Sequence, residues 1–158
     1  MTSSEPESRT AEQSDAVLAF WSEQRQQLRQ SEDQRAILTN YVLVIASALT
    51  GLIAQQKLAL DTLPVAILLV VLGAYGAITV AKYHERAEYH LTQARALTKT
   101  LTDLGALPAD TTLLDEYRQR HYARYPLLRR IRLHTLWTGL HTAIAVGGLA
   151  LVIAILSK

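Results

Sequence analysis

Three long stretches of the chain contain no Asp, Glu, Lys or Arg: residues 36–56, 62–81 and 133–157. A helix needs about 20 apolar residues to cross the roughly 30 Å hydrocarbon core of a bilayer. Each stretch has that length, and the run LPVAILLVVL at residues 63–72 lacks the polar stripe of a surface helix in a soluble bundle. The pattern therefore predicts an all-α integral membrane protein with three transmembrane helices, and it disfavours the alternative of a soluble helical bundle.

The segment before the first span is polar and divides into two parts. Residues 1–13 are rich in Ser, Glu, Thr and Gln, which predicts a disordered tail. Ser14 and Asp15 predict the N-cap of an amphipathic helix over residues 14–35. One face of this helix holds Val17, Trp21, Gln24 and Leu28. We expect it either to lie on the inner leaflet or to pack on the cytoplasmic helices of its own chain.

The second span runs on into charged sequence without a Gly or Pro between residues 77 and 97. Heptad spacing continues through the exit point, which predicts a coiled-coil seam continuous with the membrane helix. The two sets of seam positions are Val80, Ala87, Ala94 and Leu101, and Tyr83, His90, Leu97 and Leu104. Gly105 and Pro108 predict the end of this helix, with Gly at the stop and Pro just beyond it.

Residues 82–132 form the longest polar segment, between the second and third spans. Thr112 and Asp115 have the spacing of a capping box, with Asp in place of Glu, and predict a short helix that Pro126 ends. The segment is therefore predicted to be helical and hairpin-like. Residues 133–157 follow it directly as the third span.

Lys and Arg are concentrated on one side of the predicted spans. The positive-inside rule then places the N-terminus in the cytoplasm and the C-terminus outside, in a multi-pass protein of the cell inner membrane. Residues 1–35 lack the basic start and apolar core of a cleavable signal peptide. Four arginines near the third span are expected either to bind lipid headgroups or only to anchor the topology. They are Arg124, Arg129, Arg130 and Arg132.

Small residues recur at helical spacing in all three spans, which predicts close helix packing and a homo-oligomer. These positions are Ser47, Gly51, Gly73, Ala77, Gly139, Ala143 and Gly147. Two polar residues, Asn40 and His141, are predicted either to bond a neighbouring helix or to line a pore. In the cytoplasmic part, His84 and Glu88 are spaced as a helix pair, and two such ligands do not make a metal site.

The composition excludes several classes of function. The chain has no Cys, so disulfides, thiolate catalysis and Cys-based zinc sites are ruled out. A net charge of +2 gives no indication of a nucleic-acid partner. There is no glycine-rich phosphate loop and no HExxH motif. We therefore predict no catalytic activity, no cofactor and no bound metal.

Residues 20–104 combine a basic, aromatic lead-in, a tight two-helix hairpin and a cytoplasmic helix that continues from the second span. The residues that carry this pattern are Trp21, Arg25, Arg29, Arg35, Tyr83, His84, Glu85, His90 and Ala94. The pattern resembles the SLATT-type small bacterial membrane effectors. The third span departs from the family's two-span core, and no catalytic or ligand residue carries over.

The resemblance implies a homo-oligomer that permeabilises or perturbs the bacterial membrane, controlled through its cytoplasmic helix. The alternative function is a non-enzymatic membrane adaptor, an accessory subunit that docks a cytoplasmic protein partner on residues 82–123. Membrane lipids are expected partners of either. The two functions differ in the number of chains and in the presence of a foreign subunit.

Overall fold

A computed structural model describes residues 4–158, and within them the chain is helical with no strand. The four helices are α1 (Ser4–Gln55), α2 (Leu63–Asp103), α3 (Thr112–Arg124) and α4 (Leu133–Leu156). Short 3-10 turns occur at Leu60–Thr62 and Leu128–Arg130. Helices α1, α2 and α4 each contain a stretch long and apolar enough to cross a membrane. The predicted all-α class with three candidate spans is thus confirmed.

The chain folds into two compact units. The polar unit comprises residues 4–31 and 86–130, and the span unit comprises residues 32–85 and 131–158. Helices α1 and α2 contribute residues to both units, α3 belongs to the polar unit and α4 to the span unit. The apolar stretches predicted as spans fall in the span unit.

Helix α1 differs from the prediction at its start. The sequence predicted a disordered tail to residue 13 and a helix from Ser14, whereas α1 begins at Ser4 and continues unbroken for 52 residues. Residues 1–3 of the predicted tail lie outside the described residues. The early start has a physical reason: residues 5–13 include Glu, Arg, Ala and Gln, which favour helix, and acids near an N-terminus suit the helix dipole. Low hydrophobicity therefore did not mean absence of helix here.

Hydrogen bonds join α1 and α2 within the polar unit. Trp21 Nε1 donates to Thr98 Oγ1 over 3.0 Å, and His90 Nδ1 lies 2.8 Å from Gln24 Oε1. Arg86 Nη2 lies 3.5 Å from Gln27 Oε1. Residue numbers rise along α1 as those of the bonded residues on α2 fall, so the two segments run antiparallel. This geometry matches the second of the two predicted placements of the amphipathic helix, packed on the cytoplasmic helix of its own chain.

The predicted end of α2 is confirmed, and α3 begins within one residue of its predicted start, but without the predicted capping box. Gly105 has a φ of 75°, its N–H donates to Thr102 O, and the Ala106 N–H donates to Leu101 O, a left-handed closure that suits Gly. At α3, Thr111 is the N-cap and makes no side-chain cap bond. The Thr112 N–H instead donates to Asp110 Oδ1 over 2.9 Å. The carboxylate before the helix takes the place of the predicted capping box, because Asp two residues back reaches the same N–H.

The span unit has an apolar core made by α1, α2 and α4. Its buried residues are Ala46, Ile53, Ala66, Leu69 and Ile155. The connection from α1 to α2 closes at Lys57, whose φ is 53°, with the Leu58 N–H donating to Ile53 O over 3.2 Å. Pro64 stands in the first turn of α2, as predicted, where its missing N–H costs nothing.

Candidate functional site: a buried polar cluster in the span unit

His141 is the most completely buried ionisable side chain of the span unit. Its exposed fraction is 0%, although it lies on a helix whose predicted role is to face lipid. Its Nε2 lies 3.1 Å from Thr39 Oγ1 on α1. A polar bond between two spans is favourable because lipid offers no alternative partner, and such bonds are worth about 0.6 kcal/mol on average.

The hydrogen bonds of Thr39 assign the tautomer of His141. The Thr39 hydroxyl donates its single hydrogen to Arg35 O over 2.9 Å, so its oxygen is left to accept. Nε2 of His141 is therefore assigned as a protonated ring nitrogen that donates to Thr39 Oγ1. Nδ1 has no hydrogen-bond partner within residues 4–158.

Gly76 on α2 provides the space for this imidazole. A Cβ built at Gly76 would overlap Nδ1 of His141, and its Cε1 would lie 2.8 Å away. Two further glycines permit backbone contact between α2 and α4. A Cβ at Gly73 would lie 2.8 Å from His141 O, and a Cβ at Gly148 would lie 2.8 Å from Val70 N. Helices α2 and α4 thus approach each other as closely as small residues allow.

Arg35 and Trp137 complete the polar cluster, which we define as Arg35, Thr39, Gly76, Trp137 and His141. The exposed fraction of Arg35 is 5%, and its guanidinium carbon lies 5.5 Å from the centre of the Trp137 ring. Its Nη2 is 3.6 Å from Glu32 Oε1 on an exposed side chain. Arg35 Nε and Trp137 Nε1 are buried and have no hydrogen-bond partner among the described residues. A cation–π contact offsets part of the cost of burying this charge.

A stacked pair of imidazole rings also joins α2 and α4 in the span unit. His84 and His134 stack with their ring centres 4.0 Å apart and an angle of 11° between their planes. The sequence predicted a pair between His84 and Glu88 instead. Side chains four residues apart on one helix can be recognised from sequence, whereas a contact between two helices cannot. No group of three or more His, Cys, Asp or Glu side chains close enough to hold a metal occurs in the described part of the chain.

The polar cluster ties the three span helices to one another. His141 reaches α1 through Thr39 and α2 through Gly76, and Trp137 lies under Arg35. The arrangement offers no activated nucleophile and no pair of carboxylates. Of the two roles predicted for His141, its contacts match the polar bond to a neighbouring helix.

Most of the small residues predicted for helix packing are exposed in the single chain. Gly73 is buried against α4 and Ala77 is half-buried. A Cβ at Gly51, Gly139 or Gly147 would meet nothing within 4 Å. The exposed members of the set are Ser47, Gly51, Gly139, Ala143 and Gly147, and Asn40, predicted as a polar contact, is exposed as well. These six positions leave a face on α1 and a face on α4 that the helices of their own chain do not cover.

The seam and the arginines have contrasting environments. Ala87, Ala94 and Leu101 are buried, and His90, Leu97 and Leu104 are half-buried. Arg124, Arg129, Arg130 and Arg132 are all exposed, and Arg129 lies 5.1 Å over the Tyr122 ring. The seam is therefore occupied within the chain, whereas the arginines are accessible.

Sequence reasoning missed several members of the polar cluster. The sequence predicted Asn40 as the polar contact of the first span. The residue that contacts His141 is its neighbour Thr39, through its hydroxyl group. Gly76 and Gly148 were missed because the four-residue ladders pointed to Gly73 and Gly147. One signal was present: Arg35, Thr39 and Val42 follow one helical stripe, offset by one residue from the stripe through Asn40.

Comparisons with known proteins found no match for this chain among protein-family models, curated proteins or solved structures.

Proposed function

We propose that this protein is a homo-oligomer of the bacterial inner membrane that perturbs or perforates the bilayer under the control of its cytoplasmic helices. The resemblance to SLATT-type effectors supports the proposal. The observation that carries it is the exposed small-residue face of α4, at Gly139 and Ala143. Small residues at this spacing let another helix approach closely, and no helix of the same chain covers them.

The exposed face of α1 adds support from a polar group. Asn40 and Gly51 are exposed on α1, away from the core of their own chain. Asn40 is an exposed amide at the start of the first span, where a partner helix is more favourable than hydrocarbon. A second copy of the chain presents the same faces. Its helices would cover the small residues of α4 and could bond the Asn40 amide.

The orientation in this proposal follows the distribution of basic residues. The polar unit, with its Arg-rich stretch before α4, would lie in the cytoplasm, and the Lys57 turn would lie outside. Control through α2 is proposed because one helix, Leu63–Asp103, carries both the second span and the seam. The polar cluster would hold the three spans of each chain together as a unit of assembly.

The proposal is tested by crowding the α4 face. Gly139→Leu and Ala143→Leu are made in the full chain, with Ala74→Leu as the control because Ala74 is exposed on α2 outside the proposed face. Native mass after gentle extraction and dye leakage from vesicles are both measured. We expect a closed oligomer and leakage for the wild type and the control, and loss of both for the α4 variants. A monomeric wild type, or unchanged mass and leakage in the α4 variants, would overturn the proposal.

One observation favours the adaptor as a second candidate function. Helix α3 buries none of its residues within the described chain, and it exposes Leu113, Leu114 and Tyr117. A cytoplasmic protein docked on α3 would cover them. Leu113→Asp with Leu114→Asp would then release a co-purifying protein from host membranes, whereas Arg118→Ala would retain it. Leu101 is not a suitable test position, because it is buried in the chain itself.

A further inference from the structure

A groove runs along the span unit between α1 and α4. It consists of two cavities, of about 550 Å³ and about 380 Å³, that share Thr50 and Leu151 as lining residues. The first cavity extends back to Leu43, and the second extends forward to Lys57 and Lys158. The shared residues place the two cavities next to each other along α1 and α4.

The walls of the groove are apolar. Its two hydroxyl groups are occupied by their own helix, since Ser47 donates to Leu43 O and Thr50 donates to Ala46 O, each over 2.7 Å. On the α4 wall, Gly147 lies with Ile144 and Leu151, and a Cβ at Gly147 would meet nothing within 4 Å. The occupant that fits these walls along their length is a hydrocarbon chain.

Two lysines line the end of the groove at the α1–α2 turn. Lys57 and Lys158 both line the second cavity, and both are exposed. Lys158 Nζ donates to Lys57 O over 2.7 Å, which draws its ammonium group to the mouth of the groove. Asp61 is the one acidic residue of the connecting turn. Two ammonium groups at the end of an apolar groove complement a molecule with a hydrocarbon chain and an anionic headgroup.

We propose that this groove binds one anionic glycerophospholipid, with an acyl chain between α1 and α4 and the phosphate at Lys57 and Lys158. The groove is long enough to hold an acyl chain: Leu43 to Lys57 spans about 21 Å of helix at 1.5 Å per residue, and one leaflet of hydrocarbon is about 15 Å thick, half of the roughly 30 Å core. The inference rests on the spans crossing a bilayer and not on the proposed assembly.

The lipid site is tested by filling the groove from either wall. Thr50→Phe blocks it from α1 at the point where the cavities join, and Gly147→Val narrows it from α4. Ala48→Phe is the matched control, because Ala48 is exposed on α1 and does not line either cavity. The full chain is reconstituted in equimolar phosphatidylglycerol and phosphatidylcholine, extracted, and its retained lipid identified by native mass spectrometry. We expect one phosphatidylglycerol per wild-type or Ala48→Phe chain, and its loss from both groove variants.

A second pair of variants tests the charged end. Lys57→Gln with Lys158→Gln should keep a retained lipid but abolish the preference for phosphatidylglycerol, whereas Lys99→Gln, in the polar unit, should leave the preference unchanged. Equal retention of both lipids by the wild type would overturn the assignment of the head. No retained lipid in the wild type, or equal retention by Thr50→Phe and Ala48→Phe, would overturn the site. Conversion of a dimer to a monomer by Thr50→Phe, with no lipid retained by either species, would give the groove to a second copy and would also overturn it.

Discussion

The imidazole of His141 lies against the backbone of Gly76, in the space that any side chain at residue 76 would fill. The ring is also bonded to Thr39, so it is fixed from both sides. A glycine on one span and a histidine on another therefore act as a matched pair. Neither residue can change its size without displacing the other.

Gly76→Ala should destabilise the span unit. The added methyl group would overlap Nδ1 of His141, and overpacking a buried contact of this kind costs about 1–3 kcal/mol. Unfolding of the purified protein by SDS in mixed micelles measures the loss. Ala74→Leu is the control, since Ala74 is exposed on the same helix and lies outside the proposed assembly face. Equal stability of the two variants would refute the matched pair.

The bond between His141 and Thr39 should be measurable as a coupling energy. A double-mutant cycle with His141→Ala and Thr39→Val should give about 0.5–2 kcal/mol, the range for polar bonds between spans. The control cycle pairs His141→Ala with Thr142→Val, because the exposed Thr142 hydroxyl donates to Thr138 O of its own helix. Additive effects in the first cycle would show that the bond between His141 and Thr39 does not contribute to stability.

The elements that the sequence predicted best are those set by local chemistry. The absence of charge over residues 36–56, 62–81 and 133–157 marks helices that the fold contains, and Gly105 ends α2 through its positive φ. Both signals lie within a few neighbouring residues. They do not depend on which helix lies beside which.

The contacts between helices were the part that the sequence left open. Ladders of small residues predict that a face is packed, but they do not say whether the partner belongs to the same chain. Gly73 turned out to face α4, whereas Gly139 faces away from the chain. His84 met His134 rather than Glu88, because the stacking depends on how α2 and α4 cross. Predicting such contacts requires knowing which helices are neighbours and how they cross, and hydrophobic periodicity does not give this information.

Asp110 should titrate below its usual value of 3.8. Hydrogen bonds from the side chain and then the backbone of Thr112 stabilise the carboxylate and lower its pKa. A lowered pKa in the folded state means that this contribution to α3 is present above the unfolded pKa and is lost as pH falls through the folded one. The start of α3 should therefore fray in acid, which amide exchange across residues 111–115 would report.

The source of the Asp110 shift can be separated from general helix effects. Thr112→Val removes the side-chain bond, so the pKa of Asp110 should rise toward 3.8 in an NMR titration of the carboxyl carbon. Thr111→Val is the matched control, because Thr111 makes no side-chain cap bond. Equal titration of Asp110 in both variants would show that the Thr112 hydroxyl is not responsible.

The pairing of α1 with α2 in the polar unit should occur within one chain, and the absence of Cys from the sequence makes this testable with introduced thiols. Gln24→Cys with His90→Cys replaces a pair whose side chains are bonded, so a short thiol cross-linker should join them in a product of monomer mass. Gln26→Cys with Tyr89→Cys, both exposed, is the control and should remain unlinked. Products of dimer mass from the first pair would mean that the seam at Ala87 and Ala94 is shared between chains. The seam, and not only the faces of α1 and α4, would then drive assembly.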